Sequence, residues 1–303
     1  MDPVSTKEKK AYFHLPGLFE FYEFYRAFLP LFYGHREYFY DWAEIGSIYG
    51  APGDCVWGGG RTGCGDSDPR DVKALADEFD VSARLTFSNS LLRQEHLSDT
   101  RCNRLCQLFQ EPEQRNGIII YSDLLLRYIE EHYPEYYFVS STTKVITDFG
   151  EFRDELDRAE FSYVVPDFRI NPRFEDLAGL TQEEKDKTEF LANECCWFQC
   201  PTRKECYQAV SRLALGEKSD HLCSSPDAAE GYVFSKAMEN PGFISKEAIL
   251  NRYMPMGFSN FKIEGRSLGS ALILEFLLYY MTKPQYQLKV REALYLDNQL
   301  DLF

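Results

Sequence analysis

No stretch of this sequence offers the roughly 18 uninterrupted apolar residues that cross a bilayer as a helix. Its first residues, Met1-Asp2-Pro3-Val4-Ser5-Thr6-Lys7, lack the apolar core of a signal peptide. The expectation is a cytoplasmic protein with no membrane partner. Histidine is scarce: the five residues His14, His35, His96, His132 and His221 are scattered, and none belongs to an HExxH pair. A GxSxG elbow and a Walker loop are missing as well, so the metalloprotease, serine-hydrolase and P-loop readings have no motif to stand on. Basic residues are outnumbered, 33 Lys and Arg against 48 Asp and Glu, for a net charge of −15. With no cationic excess to displace counterions from phosphates, nucleic acid is not an expected partner.

What the chain does have is apolar mass and thiols. At 303 residues, 44% hydrophobic and 16% aromatic, it can bury a large core, and its length suits one α/β barrel. Its nine cysteines would not form a disulfide framework in a reducing cytoplasm, so ligation or plain burial must explain them. Four fall within twelve residues of the segment Asn193-Glu194-Cys195-Cys196-Trp197-Phe198-Gln199-Cys200-Pro201-Thr202-Arg203-Lys204-Glu205-Cys206. Close spacing lowers the entropy cost of gathering thiolates on one metal or cluster. Pro201 suits the first position of a helix whose amino end favours thiolate charge.

Residues 11–50 hold 15 aromatics. The segment 1–44 therefore reads as an aromatic-rich extension that packs on the main fold, or as a surface for a protein partner. Over 45–303 strand-like and helix-like stretches alternate. Strands are expected at Ile45–Tyr49, Val81–Phe87, Gly117–Tyr121, Tyr136–Ser140, Ser162–Asp167, Glu189–Ala192 and Asn260–Ile263, with a weaker one at Gly242–Ile244. Helical patterns fall between them, for example after Asp68-Pro69, over Ser122–Ile129 and over Arg203–Leu215. About eight βα units make a TIM-like (β/α)8 barrel, an α/β fold that keeps its chemistry on the carboxyl-end rim. Gly58-Gly59-Gly60-Arg61, Asn193-Glu194 with the cysteines, and Glu264-Gly265-Arg266 all follow strands, so they become walls of one pocket.

Within that rim Cys196, Cys200, Cys206 and the later Cys223 supply four thiolates. Cys195 is an alternative to Cys196, and Cys55 or Cys64 could reach across the mouth. Four thiolates suit a [4Fe–4S] cluster or a structural zinc, although the paired CxxC knuckles of zinc ribbons are missing. Cys102 and Cys106, four residues apart in a helical pattern, read as core, and His221 reads as a stray ligand or a solvated loop residue. The loop Gly58-Gly59-Gly60-Arg61-Thr62-Gly63 satisfies GxGxxG, but a dinucleotide site needs a helix opening at the last glycine. A rim loop bringing Arg61 toward an anion is the better reading. In Phe261-Lys262-Ile263-Glu264-Gly265-Arg266, Lys262 and Glu264 share a strand face, either as an ion-pair layer or as a carboxylate- or phosphate-binding group.

These segments together resemble the peptidase U32 family, the collagenase-like barrel proteins, over roughly residues 45 to 285. The resemblance is carried by Asn193-Glu194 with the cysteines and Cys200-Pro201-Thr202-Arg203, and by Phe261-Lys262-Ile263-Glu264-Gly265-Arg266. Gly58-Gly59-Gly60-Arg61, Thr86-Phe87-Ser88-Asn89 and Asn171-Pro172-Arg173-Phe174 add to it. It implies a TIM-like barrel and relatives that are iron–sulfur proteins linked to oxygen-independent hydroxylation of RNA bases or quinone precursors. It also implies Cys196, Cys200 and Cys223 as cluster ligands, with Cys206 as the fourth. Many relatives carry histidine where Cys206 stands, and the doubled Cys195-Cys196 shifts the register by one. The expected protein is an enzyme of redox or hydroxylation type acting on a small molecule or modified polymer. Arg61 and Arg266 would hold an anionic group, and Glu264 would serve as an acid–base or orienting carboxylate. The alternative is a metal-stapled scaffold without catalysis; a peptidase ranks below both.

Overall fold

A computed structural model describes residues 9–61, 65, 67–226 and 228–298. Eight strands form one sheet: Ala11–Pro16 (β1), Ala43–Gly50 (β2), Ala83–Phe87 (β3), Gly117–Ile120 (β4), Tyr137–Ser140 (β5), Phe161–Val164 (β6), Glu189–Leu191 (β7) and Asn260–Lys262 (β8). All pairings are parallel, in the order β6-β5-β4-β3-β2-β1-β8-β7. A single parallel bridge, Val164 to Thr188, links the two ends of that order and nearly closes a TIM-like (β/α)8 barrel. Helices alternate with the strands, and several start where a short polar side chain precedes them. Asp68 accepts from the Arg70 N–H, Ser122 from the Leu125 N–H and Asp148 from the Gly150 and Glu151 N–H groups.

Parallel strands are covered on both faces, and here their period of two separates two kinds of interior. Phe13 and Leu15 in β1, Leu85 in β3, Ile118 and Ile120 in β4, Phe190 in β7 and Phe261 in β8 join the large apolar core beneath the helices. The alternate positions Tyr49, Ile119, Val139 and Leu191 form a second, smaller cluster. The polar residues His14, Arg84, Glu189, Asn260 and Lys262 alternate with the first set on the same strands and are equally buried. These two groups fill the lumen.

The amino-terminal segment departs from its sequence reading. Residues 11–34 are not a cap laid on the barrel; they supply β1, between β2 and β8, and the helix Tyr22–Gly34. The rings of Phe13, Phe19, Phe28, Phe32 and Phe39 are fully buried, leaving Tyr12 and Tyr33 as the large exposed aromatics of the region. Most of the rings that the sequence offered for a partner surface are thus consumed by the core. The weak strand at Gly242–Ile244 is likewise absent: it is loop, tied by the Ile244 N–H donating to the Ala192 carbonyl at 2.8 Å. Alternation correctly suggested eight strands, but the first is β1. No helix among the described residues is long and apolar enough to cross a membrane.

Candidate functional site at the barrel rim

The carboxyl ends of β7 and β8 are locked together by Asn193. Its side-chain oxygen accepts from the Glu264 N–H at 2.7 Å, and its amide donates to the Glu264 carbonyl at 3.1 Å. This bidentate clamp fixes the direction in which Glu264 leaves the strand. Next in the chain, the fully buried Glu194 accepts from the Cys195 and Cys196 N–H groups at 2.9 and 2.8 Å. It also pairs with Arg203 at 2.6 Å and Arg61 at 2.9 Å. Burial alone would push its carboxyl up, but the two guanidinium groups and the N–H donors hold it at about 2. Arg203 reaches on to Asp167 at 3.0 Å, with the rings of Phe168 and Tyr207 at 4.9 and 5.1 Å. Arg61 also pairs with Glu264 Oε1. One charge chain thus runs Asp167–Arg203–Glu194–Arg61–Glu264 along the rim.

Arg61 meets carboxylates of this protein rather than standing free for an anion. Arg266 is occupied more completely. Its Nε donates to Glu20 at 2.7 Å, and its two terminal nitrogens donate to the Gly59 and Ala51 carbonyls at 3.3 and 3.0 Å. The anion-holding role expected of Arg266 gives way to that of a bracket fastening the Gly58–Arg61 loop. That loop needs its glycines for space and conformation. A Cβ on Gly59 would lie 2.4 Å from the Ser88 backbone, and Gly60 has φ +74°. Among the described residues the next helix opens at Pro69, so the dinucleotide reading finds no described helix terminus beside the loop. Thr62, Gly63 and Cys64 lie outside the described residues. Glu264 is placed as expected, at the mouth; its second oxygen, Oε2, is buried without a hydrogen-bond partner.

Four of the expected thiols are neighbours. Cys200 lies within electrostatic reach of Cys196, and Cys206 within that of Cys223, Cys200 and Cys196. Burial opposes ionisation of Cys200. It is outweighed by hydrogen bonds from the Thr202 N–H and hydroxyl, the Ser224 hydroxyl and the Cys196 thiol, and its pKa falls below that of an ordinary thiol. Cys206 is pushed up to about 11, first by burial and then by the neighbouring sulfurs; its Sγ lies 2.9 Å from His221 Nε2. Cys195 rises to about 12 through burial and the adjacent Glu194. Cys55 is elsewhere, with its Sγ 3.0 Å from that of buried Cys102, and is not part of this group. No set of three or more His, Cys, Asp or Glu side chains among the described residues stands at metal-holding geometry. The donor chemistry nevertheless fits a soft metal or cluster: four sulfurs, one poised toward thiolate, beside an imidazole.

Comparisons with models of protein families and with curated proteins give no match. Among solved structures, the chain is similar to the U32 peptidase Mk0906, with a TM-score of 0.51 and 13% identity, over 88% of this chain and 96% of that one. The protein has a U32-like fold. At this identity the likeness shows the barrel and nothing of the chemistry.

Two cavities meet at the rim of the U32-like barrel. A groove of about 620 Å³ runs beside the thiols, with Cys195, Cys196, Trp197, Phe198 and Tyr232 among its walls. A chamber of about 60 Å³ lies toward the lumen, reaching Tyr49, Thr86, Leu191 and Lys262. Arg61 and Glu264 line both and form the partition. Below the chamber Glu189 pairs with Arg84 at 2.5 Å and stands 3.6 Å from Lys262. Burial pushes the carboxyl of Glu189 up, yet Arg84, His14 and Lys262 hold it at about 2. Sequence reasoning missed Glu20, Glu189, Thr86 and Ser88 as members of this site. Alternation along β3 and β7 could have flagged Arg84 with Thr86, and Glu189. Nothing distinguishes Glu20 from Glu23 before β1 is known to be a barrel strand.

Proposed function

We propose that this protein is an iron–sulfur barrel enzyme carrying out a redox or oxygen-independent hydroxylation-type reaction on a small organic molecule or a modified polymer. Cys196, Cys200, Cys206 and Cys223 would hold the [4Fe–4S] cluster. The observation that carries this reading is the thiolate-favouring Cys200 amid three further thiols, two of which, Cys196 and Cys223, line the large groove that Glu264 also lines. A bound cluster supplies one-electron transfer at the groove wall. The chain's own residues do the rest. Trp197, Phe198 and Tyr232 offer flat apolar surface for an unsaturated substrate, and Arg61 orients Glu264 through its first oxygen. The unpartnered Oε2 of Glu264 is then free to take or hold a substrate proton.

A second reading, a zinc staple without catalysis, is favoured by the contact between His221 and Cys206, since imidazole and thiolate together suit zinc. Peptidase chemistry has less support. Cys206 and His221 form a thiol–imidazole pair, but the thiol is pushed up to about 11, the wrong direction for a nucleophile.

Oxygen-free purification followed by an optical spectrum and iron and sulfide quantification tests the proposal. Broad absorption near ~400 nm with about four irons per chain, abolished by Cys200→Ser, is the expected result. A colourless, iron-free protein containing stoichiometric zinc would establish the staple instead.

A further inference from the structure

The chamber on the lumen side of the Arg61–Glu264 partition has an unusual lining. Lys262 Nζ, Thr86 Oγ1, Ser88 Oγ and Glu264 Oε2 are all buried without a hydrogen-bond partner, and all four residues line this one space. Lys262, Thr86 and Ser88 are only 5%, 6% and 1% exposed. Each unpartnered buried polar atom costs about 1–3 kcal/mol, so four converging on one cavity call for an occupant. The Lys262 amine sits 3.3 Å over the Tyr49 ring and 3.6 Å from Glu189 Oε1, beyond hydrogen-bond length, with its donors unused.

We infer that this chamber is a binding site for a small hydroxycarboxylate. Lys262, Thr86 and Ser88 present donors suited to a carboxylate, and Glu264 Oε2 presents an acceptor suited to a hydroxyl. Lys262 is the chamber's unbonded cationic donor for an anion; Arg61 and Arg266 also line the space but are already paired with Glu194, Glu264 and Glu20. Ile119 and Leu191 supply an apolar wall for the carbon atoms. At about 60 Å³ the chamber holds some four to six non-hydrogen atoms, reckoning one per water-sized probe sphere. That is the size of glycolate or lactate. The inference is independent of any cluster. It adds a second ligand on the other side of Glu264 from the groove that the proposed function assigns to substrate, and while the chamber is occupied Glu264 Oε2 is engaged there and not with a substrate proton.

The test is calorimetric titration of the metal-free chain with sodium glycolate and sodium lactate, and with propionate as a probe lacking the hydroxyl. One saturable site for the hydroxy acids is expected, with propionate about tenfold weaker for the loss of one hydrogen bond to a charged group. Lys262→Met should abolish binding, and Thr86→Val should weaken it about tenfold while keeping the wild-type circular dichroism spectrum. If the lysine variant does not fold, the threonine variant alone decides. No saturation with either hydroxy acid, equal affinity in the folded variants, or a crystal structure soaked in glycolate with ordered water alone in the chamber would each overturn the inference. None of these readouts depends on iron, so failure here and failure of the redox proposal are separable.

Discussion

Lys262 gives the sharpest test of the lumen electrostatics. Burial is the leading cause that lowers its pKa from 10.5 to about 7; Glu189 opposes the shift, while Arg84 and Arg266 reinforce it. Unfolding returns the amine to water and to its ordinary value. Between about pH 7 and 10.5 the unfolded chain therefore binds the extra proton, and folding stability rises with pH across that window. Each pH unit well inside it is worth up to about 1.4 kcal/mol, so going from pH 7 to pH 9 adds about 2 kcal/mol from this one group. Below pH 7 the contribution is flat, because both states are then protonated. Lys262→Met keeps the apolar stem, removes the titration and leaves Glu189 paired with Arg84 at 2.5 Å. Buried His14, held at about 3 first by burial and then by Arg84, stays neutral throughout and does not compete. Urea unfolding of both proteins at the two pH values isolates the lysine, since tyrosines and thiols contribute equally to each. The variant should be more stable than wild type at pH 7, and that advantage should shrink by about 2 kcal/mol at pH 9. Parallel pH dependences in the two proteins would refute the reasoning and mean that the amine is solvated.

Four further outcomes follow from the packing. Glu194→Gln leaves Arg61 and Arg203 facing one charge fewer inside the fold and should lower stability by about 3–5 kcal/mol in chemical denaturation. Gly59→Ala drives a methyl group to 2.4 Å from the Ser88 backbone. A loss of about 1–3 kcal/mol is expected, read as a lower melting temperature. A chain starting at Ile45 lacks β1 and the helix Tyr22–Gly34 and should show no cooperative unfolding by calorimetry. In the folded, metal-free protein iodoacetamide should modify exposed Cys223 first. Buried Cys55, Cys102 and Cys106 should react only in denaturant, as read by peptide mass spectrometry.

The comparison of sequence with structure turns on which signals are local. The alternation in β3 and β7, the apolar run of β4 and the polar helix starts at Asp68 and Ser122 were legible, because period and capping depend on neighbours along the chain. In Ala11–Pro16, His14 and Pro16 sit inside an aromatic run, and such a run fits a strand, a helix or a cap equally well. Only pairing with both β2 and β8 decides among them. Arg61 and Arg266 look alike as rim arginines in the sequence. In the fold one joins a carboxylate pair at the mouth and the other fastens a loop to Glu20.

By itself, then, the sequence determined an α/β barrel of about eight units, a thiol-rich loop after one strand and a Lys–Glu–Arg strand end after another. It could do so because side-chain period, caps and cysteine spacing are written within a few residues of each other. Only the tertiary structure decided that the amino-terminal aromatics are barrel core, that Cys55 belongs with Cys102 and not with the rim thiols, and that four unpartnered polar atoms share one chamber. Those facts depend on barrel closure. It brings β1 between β2 and β8 and sets residues more than a hundred positions apart on facing walls, where charge, burial and contact are properties of the assembled lumen.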